Sequence, residues 1–282
     1  MAAASAMRLR QRDLAEIARS AAEAGKADLA SHAAANIDRY RRPDRQTAFG
    51  LEYAFHLLGD VCGKKVLDLG CGSGENVIPL LKRGARVIGL DISPELIEMA
   101  RNRVAAAGMA ADLRVGSAYE TGLPDRSIDT VFCMSLAHHL DIPVAREEMR
   151  RVLAARGQIV FKEPIRFSHS YSRIRSWLPS FGDVSEYEHP LTRDEFASLT
   201  KGFLVQGLRY FRLPFVPLAR LLKIKSCMPW RISNWCLRNF SALEVYATSA
   251  VGRMVEMRPV DIRPGFQTEY GKPVVTAACA QL

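Results

Sequence analysis

The sequence predicts an α/β fold with a doubly wound, mainly parallel sheet, and three observations support this prediction. Short apolar runs alternate with helical segments between residues 62 and 163. The first of these runs ends in closely spaced glycines, and the second ends in an acidic residue. Strands that alternate with helices form right-handed βαβ units, which give a parallel sheet covered on both faces.

Each predicted strand is a short apolar run bounded by glycine, proline or charge. The predicted strands of this central part are 65–69, 86–90, 112–115, 128–134 and 157–162. Helices are predicted at 76–82, 94–107 and 143–153, and Ser93 is expected to cap the second of them.

The flanking segments complete the predicted fold. Helices are expected at 11–36, which is rich in alanine, at 49–58, and at 192–199, where Thr192 and Glu195 form a capping box. Alternating segments at 203–211 and 251–257 predict a β6–β7 hairpin, which makes the sheet seven-stranded. We therefore divide the chain into an N-terminal helical cap (1–61), a ligand-binding core (62–163), a C-terminal part of the same domain (164–258) and a tail (259–282).

Composition excludes several classes of protein. The chain has 282 residues, of which 48% are hydrophobic and 24% charged, so it is neither disordered nor fibrous. An apolar run of about 18 residues is missing, which argues against a membrane-spanning helix. The N-terminus lacks a secretory signal, and the six cysteines form no CxxC pair. We expect a cytoplasmic protein with reduced thiols and no metal site.

The glycine-rich segment 66–74 carries the clearest functional signal. Its spacing is D-x-G-x-G-x-G, from Asp68 through Gly70 and Gly72 to Gly74, directly after a predicted strand. Glycines at these positions permit a tight turn and a close approach of a ligand to the main chain. The dinucleotide fingerprint requires a third glycine or alanine where Glu75 stands, and a carboxylate there would repel a pyrophosphate.

The second strand leads into Asp91. An acid at the carboxyl end of the strand beside a glycine loop can accept hydrogen bonds from both ribose hydroxyls of a nucleoside. The loop and the acid together predict a nucleoside ligand without a pyrophosphate. The other interpretation is a tight β–α turn that binds nothing.

These residues resemble the class I S-adenosylmethionine-dependent methyltransferases, and in particular the group that acts on small molecules (methyltransferase type 11-like). The resemblance is close over about 62–163 and loose over 192–257, and it implies a Rossmann-like sheet. It implies that Asp68 and the glycine loop hold the methionine end of S-adenosylmethionine, that Asp91 binds the ribose and that Ile92 lies against adenine. Ser117 stands where the family usually has an aspartate that meets the adenine amino group. The full set of predicted cofactor residues is Asp68, Gly70, Cys71, Gly72, Gly74, Asp91, Ile92, Ser117, Ala118 and Cys133.

Catalytic candidates follow strands four and five. His138 and His139 come directly after strand four, where ligands of open α/β sheets bind, and an imidazole can remove a proton near neutral pH. The sequence does not separate the two, and either can instead cap or pack the next helix. Glu163 ends strand five and is expected to bind substrate, to orient a histidine or to lie exposed. Cys71 and Cys133 are better interpreted as small packing residues than as nucleophiles.

A basic and aromatic insertion at 213–246 separates the last two predicted strands. No acidic residue lies between Glu195 and Glu244. Three functions compete for the insertion: a lid over a hydrophobic substrate, a surface that touches anionic membrane, or a nucleic-acid contact, which is the least favoured. A fourth interpretation is an ordinary solvated helix. Because residue 211 ends a strand that should point to the ligand edge, we expect a lid.

The sequence thus predicts methyl transfer from S-adenosylmethionine to a small, hydrophobic acceptor, at an oxygen, nitrogen or carbon atom. Two alternatives stay open. One is an RNA methyltransferase, although strand four is not followed by the N-P-P-[YF] tetrapeptide that is typical of enzymes that modify the exocyclic amines of bases. The other is a protein that binds the cofactor without transferring its methyl group. The sequence gives no oligomeric state.

Overall fold

A computed structural model describes residues 2–24, 40–43, 50–165, 189–211 and 247–254. Two helices precede the sheet, α1 (Ala2–Ala24) and α2 (Gly50–Leu58). The strands are β1 (Lys65–Leu69), β2 (Arg86–Asp91), β3 (Asp112–Val115), β4 (Ile128–Met134), β5 (Leu153–Glu163), β6 (Phe203–Phe211) and β7 (Ala247–Met254). The helices between them are α3 (Val77–Lys82), α4 (Pro94–Ala106), a 3₁₀ turn (Ala137–His139), α5 (Ile142–Val152) and α6 (Arg193–Thr200).

The strands form one sheet in the order β3-β2-β1-β4-β5-β7-β6. Strands β1 to β5 are parallel to one another, and β7 pairs antiparallel with both β5 and β6. The predicted α/β fold with a parallel sheet is therefore confirmed. The strand order reverses between β1 and β4, and ligands of such sheets bind beyond the carboxyl ends at this point.

The central strands β1 and β4 are buried on both faces, as is usual in parallel sheets. Along β4, Val131 and Cys133 pack into one apolar cluster, whereas Phe132 and Met134 pack into the other. Each cluster joins strand residues to the helices on its own face. The nearly continuous apolar character of β4 thus results from burial on both sides.

Helix boundaries follow the predicted caps. The Ser93 hydroxyl accepts a hydrogen bond from Leu96 N at 3.2 Å, and α4 begins with proline. Thr192 and Glu195 form the predicted capping box at the start of α6.

Three boundaries differ from the sequence prediction. The predicted helix at 11–36 overlaps α1, which begins at Ala2 because the alanine-rich start extends the helix backward, and residues 25–36 lie outside the described residues. The last strand is at 247–254 rather than 251–257, since its pairing with β5 determines its register. Strand β5 starts at Leu153 instead of residue 157. The segment 213–246, the tail 259–282 and the loop residues His169, Tyr171 and Tyr187 lie outside the described residues.

Candidate active site

The glycine loop connects β1 to the following helix and is attached to the end of β2. The backbone N–H groups of Gly70 and Cys71 both donate to the carbonyl of Leu90, at 2.8 and 3.0 Å. Gly70, Gly72 and Gly74 have φ values of 72°, 51° and 81°, a left-handed conformation that side chains disfavour. The loop therefore needs its glycines for conformation as well as for ligand access.

Two of these glycines should respond differently to substitution by alanine. A Cβ on Gly74 would lie 3.1 Å from Cα of Ala100 in α4, whereas a Cβ on Gly72 would meet no atom within 4 Å. Both changes place a side chain on a left-handed backbone, which costs about 1–2 kcal/mol of folding free energy. We expect Gly74→Ala to lower the melting temperature by several degrees more than Gly72→Ala does, as measured by thermal denaturation. Equal losses would contradict close packing at Gly74.

Asp91 lies at the end of β2 and joins the loop to the next helix. Its Oδ2 accepts a hydrogen bond from Gly72 N at 2.8 Å, and its Oδ1 accepts one from Ser93 N at 3.0 Å. Burial raises the pKa of this carboxyl, and the two backbone N–H groups oppose the shift. The carboxylate is half-buried and lines a cavity, so it also has lone pairs for a ligand.

Asp68 lies beneath the loop at the end of β1 and is buried. Neither of its carboxylate oxygens has a hydrogen-bond partner among the described residues. Burial raises the pKa of Asp68 to about 8, and the charge of Asp91 adds to the shift. A buried, unpaired carboxyl at a sheet edge is costly, which marks this position as one shaped for function.

The cavity lies over the carboxyl ends of β1, β2 and β4. Its floor includes Gly70, Gly72 and Asp91, and its apolar walls include Leu136 and Leu140. One side is formed by α1, which contributes Arg12, Asp13, Glu16, Arg19 and Ser20. In the sequence these residues precede Gly70 by 50 to 58 positions.

His138 and Glu163 form a buried pair next to the cavity. His138 Nδ1 lies 2.8 Å from Glu163 Oε2, and Glu163 Oε1 accepts hydrogen bonds from the N–H groups of Leu136 and Ala137 at 3.0 and 2.9 Å. Glu163 is fully buried. It therefore orients a histidine and fixes the turn after β4. Its burial contradicts the expectation of an exposed carboxylate, whereas contact with substrate stays a prediction.

His139 has a different environment from its neighbour. It lines the cavity, and its ring stacks obliquely on that of His138, with 4.1 Å between the ring centroids. Its Nδ1 lies 3.4 Å from Oε2 of Glu16 on α1, an ion-pair distance without hydrogen-bond geometry. The structure thus separates two histidines that the sequence leaves equivalent.

A second polar pair lies where β4 and β5 end. Lys162 Nζ donates to the Ser135 hydroxyl at 2.6 Å, and burial lowers the pKa of Lys162. Ser135 has a φ of 55°, a strained value for a residue with a side chain, and it lines the cavity. This pair places hydrogen-bond donors on the side of the cavity beyond β4.

Most of the predicted cofactor residues meet in this region, although not all touch the cavity. Those that line it are Gly70, Gly72, Asp91, Ile92 and Ala118, together with the catalytic candidate His139. Cys71 and Cys133 are buried in the core, which agrees with the packing role expected for them, and their inclusion in the cofactor site stays a prediction. Ser117 does not line the cavity, and Gly74 packs against α4.

The sequence predicts an N-terminal helical cap, but it does not identify which residues of α1 face the site. Asp13, Glu16 and Ser20 recur at the helical spacing of three and four residues, so they share one face. Such a polar face is usually solvent-exposed, and only the position of the helix over the sheet shows that it faces a cavity. The described residues contain neither a cluster of potential metal ligands nor a helix long and apolar enough to cross a membrane. His189, a loop residue, pairs with Glu195 at the surface.

Comparison with known proteins supports one class. A family model described as a methyltransferase domain matches residues 67–161. A ubiquinone biosynthesis O-methyltransferase of Xanthomonas euvesicatoria pv. vesicatoria (strain 85-10) is 36% identical over 96 residues, which are 34% of this chain and 40% of that protein. A demethylmenaquinone methyltransferase of Tropheryma whipplei (strain Twist) is 31% identical over 202 residues, which are 63% of this chain and 82% of the relative.

A solved structure agrees in fold. Geranyl diphosphate C-methyltransferase from Streptomyces coelicolor A3(2) superposes with a TM-score of 0.55 at 17% identity, covering 72% of this chain and 78% of that one. The fold and the arrangement of loop and acid define the methyltransferase class of α/β proteins. The chain belongs to the class I S-adenosylmethionine-dependent methyltransferases.

Proposed function

We propose that this chain transfers a methyl group from S-adenosylmethionine to a small, hydrophobic acceptor. The observation that carries the proposal is the juxtaposition of the glycine loop, Asp91 and His139 around one cavity at the carboxyl ends of the parallel strands. The quinone and isoprenoid methyltransferases named above support a hydrophobic acceptor by analogy.

The residues present fit S-adenosylmethionine. Asp68 is a buried carboxyl without a hydrogen-bond partner among the described residues. A ligand that carries a positive charge nearby would stabilise its ionised form. Gly72 leaves open space where a side chain would stand. Asp91 offers acceptors to ribose hydroxyls, and Ile92 and Ala118 offer apolar surface to a base.

The cofactor supplies a methyl group that its sulfonium has already activated. The chain's residues then need to hold the acceptor in line and to remove a proton where the acceptor carries one. His139 is the side chain placed for this proton removal, because it faces the cavity beside Leu136 and Leu140. Its pair partner His138 is a positioning residue, held by Glu163 on the other side of the turn.

The two histidines provide a matched pair of variants. His138→Ala removes a hydrogen bond from a fully buried carboxylate and should destabilise the fold by about 2–3 kcal/mol. His139→Ala removes a buried ring but no hydrogen bond to a buried carboxylate, so it should destabilise the fold less than His138→Ala, and it should abolish turnover of an acceptor that must lose a proton. Denaturation curves check the first expectation, and product formation by mass spectrometry checks the second. Full turnover by His139→Ala would remove this residue as the base.

Calorimetric titration of the purified chain with S-adenosylmethionine, S-adenosylhomocysteine and NAD tests the proposed function. Micromolar binding of the first two without binding of NAD is the expected result. Incubation with quinols, phenols and isoprenoids then tests conversion of S-adenosylmethionine to S-adenosylhomocysteine. Binding without conversion by any acceptor would favour the alternative, a protein that binds the cofactor but does not transfer its methyl group.

The directions of β6 and β7 extend the proposal to the segment between them. Because β6 runs in the direction of β5 and β7 runs opposite, the connection between them leaves and returns at the ligand edge of the sheet. We therefore propose that 213–246 covers the acceptor side as a lid, and its basic and aromatic residues suit contact with anionic membrane. The division into an N-terminal cap (1–61), core and lid-bearing C-terminal part belongs to the same proposal, as does a cytoplasmic location.

A further inference from the structure

The base-binding end of the cavity lies beside Asp91. A ribose held by Asp91 must place its base against the residues that follow β2 and β3. The wall here is apolar and consists of Ile92, Leu96, Gly116 and Ala118. Apolar surface holds the faces of a purine but does not choose between an amino group and other substituents at its edge, so selection requires a polar group.

Ser117, between two of these wall residues, does not itself line the cavity. Its hydroxyl oxygen accepts a hydrogen bond from Tyr119 N at 3.2 Å. The carboxylate of Asp13 on α1 lies within hydrogen-bonding reach of this hydroxyl. Because Ser117 does not line the cavity, the carboxylate of Asp13 is the acceptor that faces it here.

Asp13 is the carboxylate that does line this end of the cavity. One hydrogen bond from Ser117 leaves its remaining lone pairs available to a donor. Burial raises the pKa of Asp13, which shows that water is partly excluded from the group. A carboxylate in this position accepts hydrogen bonds and offers no donor when it is ionised.

Helix α1 is held in place by further contacts along the same face. Glu16, one turn beyond Asp13, lies 3.4 Å from His139 and forms an ion pair with Arg19. The helix therefore spans the cavity from the turn after β3 to the turn after β4. This places Asp13 on the cavity near the turn after β3 and Glu16 near His139.

We propose that Asp13 accepts a hydrogen bond from the exocyclic amino group of the adenine ring and thereby selects adenine over purines that lack this group. The inference rests on the proposed function, because it assumes that an S-adenosyl ligand occupies the cavity. It assigns a binding role to a helix that lies outside the segment matched by the family model, 67–161.

A double-mutant cycle between protein and ligand tests the assignment. Calorimetry would compare S-adenosylhomocysteine with its purine analogue, in which hydrogen replaces the 6-amino group. Asp13→Ala should weaken binding of S-adenosylhomocysteine about tenfold and leave binding of the purine analogue unchanged. Asp13→Asn keeps an acceptor oxygen and should show a smaller loss. Glu120→Ala, at an exposed carboxylate on the same turn, is the matched control and should change neither affinity.

The outcomes separate this assignment from the proposed function. Equal loss for both ligands, or loss for neither, in Asp13→Ala or in Asp13→Asn would overturn the role of Asp13 while leaving the methyltransferase proposal intact. Absence of binding by the unmutated chain would overturn the proposed function and this assignment with it. Thermal denaturation of each variant shows whether it is folded under the conditions of the titration.

Discussion

Replacing Asp91 by alanine should weaken binding of S-adenosylmethionine and of S-adenosylhomocysteine by roughly 10- to 150-fold. The variant loses the acceptor for ribose hydroxyls and also the carboxylate that accepts from Gly72 N and Ser93 N. The loss of hydrogen bonds to a charged group is worth about 1.5–3 kcal/mol, which gives this range of affinities. Calorimetric titration measures it directly.

Glu95→Ala is the matched control for this prediction. Glu95 is exposed and accepts a hydrogen bond from the Ser93 hydroxyl at 2.8 Å, so it shares the neighbourhood of Asp91 without lining the cavity. The control should retain cofactor affinity. If Asp91→Ala binds both ligands as tightly as the unmutated chain, then Asp91 does not contact the ribose.

Asp68→Asn should stabilise the ligand-free chain while it weakens the cofactor complex. The pKa of Asp68 is about 8 in the folded chain, above the value of 3.8 for the free side chain. Between these two values the folded state holds a proton that the unfolded state has released. Stability therefore falls as pH rises from about 4 to 8, and asparagine removes this loss.

The expected size of this effect is large for a single substitution. At pH 8 we expect stabilisation by about 2 kcal/mol and a melting temperature higher by roughly 4–8 °C, with the difference shrinking toward pH 4. Asp129→Asn, at an exposed carboxylate of β4, is the matched control and should not raise the melting temperature. A destabilised Asp68→Asn variant would mean that the carboxylate contributes favourable interactions to the ligand-free fold.

The central sheet is predictable from sequence because its strands are buried on both faces. Strand β4 is mainly apolar from Val131 onward, and β1 leads directly into glycines, so the bounds and order of these strands follow from local signals. Strand β7 is less predictable. The alternation of apolar and polar residues starts late in this strand, and its register depends on pairing with β5, almost ninety residues earlier.

The candidate site also has one part that is predictable from the sequence and one part that is not. Asp91 and the glycine loop are recognisable because their spacing along the chain follows from their position on adjacent strands. His138 and His139 are neighbours in sequence, and their different surroundings distinguish them. The His138 ring is held by Glu163, which lies 25 residues later, and only the folded chain brings His138 and Glu163 together.

The position of α1 has a consequence for the rate and salt dependence of ligand exchange. The helix faces the cavity with charged side chains, and it leaves Met7 and Leu14 exposed on its outer surface. An element held mainly by polar contacts opens at low free-energy cost, and salt weakens its attachment. The observed dissociation constant is then the intrinsic value divided by the docked fraction. Backbone amides of α1 should accordingly exchange hydrogen more slowly when the cofactor is bound.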